Sequence, residues 1–228
     1  MLSVKKFYDE IPFPGYYTIE QLRCYGNPIE NQYLQKINSQ INSQSKVLDA
    51  GCGTGLITNL LSIRNPTCHI TGIDFANSID YAKKFSKENN LNNVKFIKKN
   101  LIDYNFKNQF DIVICQGVLH HIPEYKQVLS NLLNAVAPNG KIILGLYHPA
   151  GKLLKKYVTI NYGNDILYKD QEQNPFELSF TYKQVKELTI GWKITNAEPH
   201  ILNNVSISAF FNYRNGGLVL YTLERDKK

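Results

Sequence analysis

Val47-Leu48-Asp49-Ala50-Gly51-Cys52-Gly53-Thr54-Gly55-Leu56 decides how the rest of the chain is read. An apolar run, Lys46-Val47-Leu48, predicts a buried strand, and the pattern resumes as a helix from Leu56 to about Leu61. Glycine at every second position lets the backbone turn sharply and lets a ligand approach without meeting a Cβ. The free N–H groups of the following helix are then expected to face whatever sits in the turn. A dinucleotide fingerprint would read G-x-G-x-x-G. Here Leu56 occupies the place of its third glycine, and Asp49 ends the strand. A carboxylate there would repel a pyrophosphate and suit a ligand with a cationic amino group. A tight turn that holds no ligand is the other reading.

Cys68-His69-Ile70-Thr71-Gly72-Ile73-Asp74 predicts a second strand that also ends in an acid, nineteen positions beyond Gly55. That is close to the offset at which a carboxylate meets a ribose in nucleotide-binding βαβ units. Both ribose hydroxyls can donate to one carboxylate. Asp74 could instead simply cap the predicted helix Ser78 to Lys87.

The pattern Asp49-x-Gly51-x-Gly53-x-Gly55, joined to Asp74, resembles the cofactor loop of class I S-adenosylmethionine-dependent methyltransferases. The resemblance covers residues 45 to 150 strongly and the remainder loosely. It implies a Rossmann-like, doubly wound α/β fold, with a mostly parallel seven-stranded sheet, an antiparallel last strand and helices on both faces. It also implies that Ala50, Gly51, Gly53 and Gly55 hold the methionine part of S-adenosylmethionine, with Asp49 near its amino group. Asp74 would take the ribose hydroxyls. Asn100 and Leu101 would take the adenine, between apolar walls that include Phe75, Ile79 and Ile102. The backbone around Gln116 would lie under the sulfonium, and S-adenosylhomocysteine would be the product. The chain departs from the family twice: Asn100 stands where an aspartate is common, and Ala76 where a small hydroxyl residue is common.

A third strand, Val94 to Lys98, and a fourth, Phe110 to Cys115, continue the strand–helix alternation, which implies a parallel sheet covered on both faces. The fourth runs into Gln116-Gly117-Val118-Leu119-His120-His121-Ile122-Pro123, at the carboxyl end where open α/β sheets bind ligands. That loop carries neither the Asn/Asp-Pro-Pro-aromatic stretch of nucleobase amine methyltransferases nor a Cys nucleophile beside a proline. It resembles the loop of small-molecule methyltransferases. His120 and His121 are expected to point apart, so that at most one faces an acceptor. Either could take a proton as the methyl moves, with His121 the better candidate. Both could instead cap the next helix. Tyr147-His148-Pro149, after a helix Glu124 to Val136, a Pro138-Asn139-Gly140 turn and a strand Lys141 to Leu146, forms a second acceptor-side cluster.

Residues 1–45 read as a cap segment ahead of a methyltransferase domain at 46–228, with a lid-like insertion at about 151–180. Pro12, Pro14 and Gly15 predict a loop with aromatic anchors, followed by a helix near Ile29 to Ile37. The insertion holds Tyr157, Tyr162, Tyr168 and Asn174-Pro175-Phe176-Glu177. Thr181 then opens a helix to Thr189, followed by a strand from Gly191 and a last strand or hairpin from Phe210 to Leu223. Cap and insertion either pack the domain or close over the acceptor.

At 228 residues and 43% hydrophobic, the chain can bury one sizeable core. The net charge of +7 comes from lysines in short clusters, among them Lys83-Lys84-Lys87, Lys95-Lys98-Lys99 and Lys152-Lys155-Lys156. They read first as solvated surface and second as a footprint for nucleic acid. Cys24, Cys52, Cys68 and Cys115 form no C-x-x-C pair and suggest neither a disulfide framework nor a zinc site. With no apolar leader or membrane-length run, a cytoplasmic location is expected. The expected activity is methyl transfer to a small-molecule acceptor. An RNA methyltransferase, a catalytically silent cofactor-binding module and a dehydrogenase are the alternatives.

Overall fold

The computed structural model describes residues 2–25, 32–151, 174–198 and 217–226. Seven strands form one sheet: β1 (Lys46–Ala50), β2 (His69–Asp74), β3 (Val94–Lys98), β4 (Phe110–Gln116), β5 (Val136–Tyr147), β6 (Trp192–Glu198) and β7 (Leu218–Arg225). Their order is β3-β2-β1-β4-β5-β7-β6. The first five run parallel, and β7 lies antiparallel between β5 and β6. This is the doubly wound sheet that the sequence implied, and its switch point falls between β1 and β4.

Period-two alternation splits the core into two layers. Leu48, Ala50, Val113, Cys115, Ile142 and Leu144 face α6 (Tyr125–Ala135) and α7 (Tyr182–Leu188). Val47, Ile70, Ile112, Ile114 and Ile143 face α4 (Leu56–Arg64) and α5 (Ser78–Glu88). The same parity carries Asp49, Asp74 and Gln116 onto the α4 side, at the carboxyl ends of three adjacent strands. Thr181 and Gln184 close a capping box at the start of α7, as the threonine suggested.

Several boundaries differ from the sequence reading. The proline-containing loop of the N-terminal stretch covers residues 11–18. It is preceded by α1 (Leu2–Glu10) and followed by α2 (Ile19–Tyr25) and α3 (Gln32–Asn38). Pro138-Asn139-Gly140 is not a turn ahead of β5 but a bulge within it. Phe110 pairs with Val136 and Ile112 with Lys141, so β5 gains extra residues that Pro138 and Asn139 carry into solvent. Residues 152–173 of the insertion, with Tyr157, Tyr162, Tyr168 and the Lys152 cluster, lie outside the described residues. So does the expected strand start at 210–216.

The remaining lysines have local work. β3 is an edge strand, where exposed Lys95 and Lys98 discourage pairing with another chain. Lys83 and Lys98 both pair with Asp80, and Lys84 pairs with Glu88.

A short 3₁₀ turn, Leu101–Asp103, follows β3 and is tied to α6 by Asn131, whose Nδ2 donates to the carbonyls of Leu101 (3.1 Å) and Ile102 (2.9 Å). Asn131→Ala is expected to lower stability by about 1–3 kcal/mol. In urea unfolding it should lower the midpoint at constant slope.

Candidate active site

Gly51, Gly53 and Gly55 adopt φ of +82°, +53° and +76°, the left-handed region that side chains avoid. Space is as restrictive as φ. A Cβ on Gly51 would lie 2.4 Å from Val118 Cγ2, and one on Gly53 would lie 2.3 Å from the Phe13 carbonyl oxygen. The glycines therefore admit other parts of the protein into the turn, the N-terminal loop included.

The amides of the turn itself bond within the chain. Gly51 N–H and Cys52 N–H donate to Ile73 O (2.7 and 3.0 Å), Thr54 N–H to Phe13 O (3.1 Å), and Gly55 N–H to Cys52 O (2.8 Å). Gly53 N–H donates to Asp74 Oδ2 (2.8 Å). Five successive donors are thus taken within the chain. A phosphate, which is bound through such donors, finds none of these five available.

The acceptors are another matter. Asp49 and Asp74 are 5% and 8% exposed. Asp74 Oδ1 accepts from Ala76 N–H (2.8 Å), and Asp49 Oδ2 accepts from Thr58 Oγ1 (2.5 Å). A carboxylate has about four lone-pair sites, so neither group is saturated by these bonds. Burial pushes the Asp49 carboxyl up to about 6, against the Thr58 hydrogen bond and with help from the Asp74 charge. Burial also raises Asp74, opposed by the N–H groups of Ala76 and Gly53. Cys52, between them, has its thiol pushed up by burial and by both aspartates, which makes it an inert filler.

The other expected cofactor residues divide. Asn100 is half-buried at the mouth of the 3₁₀ turn, and its Oδ1 accepts from Ile102 N–H (3.1 Å). Leu101 is buried beside it and Phe75 is half-buried after Asp74. Ile79, in the first turn of α5, and Ala50, at the end of β1, are both fully buried. Gln116 Oε1 is buried and has no hydrogen-bond partner, an orphaned acceptor at the end of β4.

On the acceptor side, the 3₁₀ turn Leu119–His121 buries both histidines, His120 to 0% and His121 to 2% exposure. They do not splay apart: their ring centroids lie 4.3 Å apart. His120 stacks on Tyr147 at 3.9 Å, and His121 meets Tyr8 of α1 edge-on at 6.2 Å. Neither caps α6, whose N-cap is Glu124. His121 Nδ1 lies 3.0 Å from Phe176 O, and Asn174 Nδ2 donates to Tyr8 Oη (2.9 Å). His148 is buried nearby; its Nδ1 accepts from Ala150 N–H (3.2 Å), and burial lowers its pKa.

Sequence reasoning missed the contributions of Phe13, Thr58, Val118 and Asn174. Thr58 had a signal, since it sits three residues past Gly55 on the first turn of α4, above the β1 acid. The Phe13 contact is made by a main-chain carbonyl, which no residue type announces.

Strand order and glycine turn together place the chain in the Rossmann-like methyltransferase fold class. A family model described as a methyltransferase domain matches residues 41–197. The chain belongs to that family, as its resemblance to class I enzymes implied. It is 34% identical over 122 residues to a ubiquinone biosynthesis O-methyltransferase of Rickettsia bellii, an alignment that covers 52% of this chain and 50% of the relative. The chain thus spans about half the length of that curated relative. Magnesium protoporphyrin IX methyltransferase from Synechocystis, solved with bound S-adenosylhomocysteine, superposes with a TM-score of 0.65 at 18% identity, over 98% of each chain. The [4+2]-cyclase SpnF superposes with a TM-score of 0.64 at 13% identity, over 99% of this chain and 93% of its own. The architecture is therefore shared by proteins named for different reactions.

Asp49 yields a pH prediction. Its folded pKa of about 6 lies above the ordinary 3.8, so the folded state holds the extra proton between those values. Its contribution to stability is complete below about pH 4 and is lost as the pH rises through about 6. Asp49→Asn should flatten that part of the stability–pH curve, measured by urea unfolding at a series of pH values.

Proposed function

We propose that the chain is an S-adenosylmethionine-dependent methyltransferase that acts on a small-molecule acceptor and releases S-adenosylhomocysteine. The observation that carries this reading is the pairing of an amide-saturated glycine turn with two buried, unsaturated carboxylates. Such a site rejects phosphates and calls for a ligand rich in donors and positive charge. A sulfonium nucleoside with an amino group and two ribose hydroxyls has that chemistry, and a nicotinamide dinucleotide does not.

Asp74 receives the ribose hydroxyls, already oriented by the N–H groups of Gly53 and Ala76. Asp49 faces the ligand's amino group, whose charge would hold the carboxyl ionised and remove the penalty of its burial. Leu101 and Phe75 flank the adenine, and Asn100 Oδ1 accepts from it. The unpartnered Gln116 Oε1 supplies a further acceptor near the positive sulfur. S-adenosylmethionine supplies an electrophilic methyl carbon on that sulfur. The chain's own task is to position an acceptor in line with it and to exclude water. His121 is the residue placed to receive a proton where the acceptor has one to lose.

A small acceptor is supported by the loop after β4, which lacks the motifs of nucleobase methyltransferases, and Lys83, Lys84 and Lys98 each pair with a local carboxylate. The N-terminal segment and the residues after the insertion act as the cover, since Phe13, Tyr8 and Asn174 all meet the crevice. Among the described residues no helix is long and apolar enough to cross a membrane. All four cysteines are free thiols, which fits a reducing cytoplasm.

Asp74→Ala should weaken S-adenosylhomocysteine binding by about tenfold to a hundredfold in calorimetry, the scale of a lost charge-assisted hydrogen bond. Unchanged affinity would remove the ribose role. Incubation with methyl-labelled S-adenosylmethionine and a small-molecule extract should give a labelled product by mass spectrometry. Label no greater than with Asp74→Ala would overturn the assignment of methyl transfer.

A further inference from the structure

Three segments far apart in sequence meet over the carboxyl ends of β4 and β5. Asn174 lies between two of them: its Nδ2 donates to Tyr8 Oη (2.9 Å), while its Oδ1 accepts from Phe176 N–H (3.2 Å). That second bond closes an Asx turn and fixes the Pro175–Phe176 peptide, immediately ahead of the Phe176 carbonyl. The Phe176 carbonyl in turn lies 3.0 Å from His121 Nδ1. A carbonyl can only accept, so Nδ1 must carry the hydrogen and the neutral ring has its lone pair on Nε2.

We infer that Asn174 is a positioning residue for His121. Through the Phe176 carbonyl it fixes the imidazole as the Nδ1–H tautomer, which leaves Nε2 as the proton-accepting atom. Two further contacts hold the ring. The Leu178 N–H donates to His120 O (2.8 Å), which ties the same extended segment to the histidine turn. The Tyr8 ring packs edge-on against the His121 ring, and the Asn174 bond keeps Tyr8 there.

The inference rests on the methyl-transfer reading and narrows its substrate class. A fixed base is of use only to an acceptor that enters protonated, which means a hydroxyl or an amine and not a carboxylate. In that step the acceptor's O–H or N–H bond breaks, and its proton moves to His121 Nε2. With a hydroxyl the bonding pair stays on oxygen and makes it the nucleophile. With an amine the nitrogen lone pair is already the nucleophile, and the N–H pair remains on nitrogen as its lone pair once the methyl is attached. Nδ1–H remains on the Phe176 carbonyl, and the resulting imidazolium is stabilised by that bond.

His148 provides an internal control. Its Nδ1 accepts from the Ala150 N–H, so it must hold the opposite, Nε2–H tautomer. Long-range ¹⁵N–¹H NMR of the ¹⁵N-labelled full chain, recorded without cofactor or acceptor, reads both rings directly. The wild type should show His121 as Nδ1–H and His148 as Nε2–H. Asn174→Ala should shift His121 to a mixture or to Nε2–H while His148 is unchanged. Asn174→Asp keeps the acceptor for the Phe176 N–H and loses only the donor to Tyr8, so it should restore the Nδ1–H form. An Nε2–H His121 in the wild type, or no change in Asn174→Ala, would overturn the inference. S-adenosylhomocysteine affinity by calorimetry should stay within about twofold of wild type in both variants. Absent binding in the wild type would instead sink the cofactor reading and leave the tautomer result standing.

Discussion

The bond from Gly53 N–H to Asp74 Oδ2 joins the two halves of the crevice, and much of the site follows from it. It can form only if the backbone at Gly53 turns through positive φ, and it aims a buried carboxylate along the glycine turn. It also removes a donor that an anion would need. With the neighbouring amides tied to Ile73, Phe13 and Cys52, the turn becomes electron-rich even though it opens a helix. The helix N-terminus would ordinarily favour anions by about 0.3–1 kcal/mol. Two buried carboxylates at the same turn oppose that preference.

Most of this was legible because it rests on local rules. Left-handed φ demands glycine, so the spacing of Gly51, Gly53 and Gly55 announced the turn. The parity of β-strands then fixed which faces Asp49 and Asp74 would share. The bulge in β5 was misread because Pro-Asn-Gly serves turns and bulges equally well, and only the pairing of Phe110 with Val136 separates them. Helix α1 was missed because it is short and sits ahead of a proline-rich loop, so its pattern carried little weight. The two histidines were expected to diverge, as neighbours on a regular backbone do. A 3₁₀ turn, with Tyr147 stacked on one ring, holds them together instead.

The acceptor side was the least legible part, and for a physical reason. The contact between Tyr8 and Asn174 spans 166 positions, and the one between His121 and Phe176 uses a main-chain oxygen. Neither has a period, a spacing or a residue preference that a single sequence displays. What the sequence did carry was the aromatic residues of the N-terminal segment and of the insertion, and the structure brings Tyr8 to Asn174, two positions before Phe176.

The N-terminal segment touches the Asp74 turn, the glycine turn and the histidine turn. Asp9 accepts from Asn77 N–H beside the Asp74 turn, Phe13 reaches the glycine turn, Tyr17 donates to Thr54 O, and Tyr8 meets His121. On the proposed reading, a ligand reaches the buried aspartates only after some of these contacts open. Four hydrogen bonds, those of Asp9, Phe13, Tyr17 and Tyr8, are worth roughly 2–6 kcal/mol in net terms. The buried Val4 side chain of α1 adds about 1.5–3 kcal/mol. Opening by that amount would reduce apparent affinity by several orders of magnitude if the segment stayed open once the ligand was bound. A segment that closes again recovers the whole sum. The cost then falls on the rate of entry and not on the equilibrium, and the closed form keeps water away from the reacting atoms.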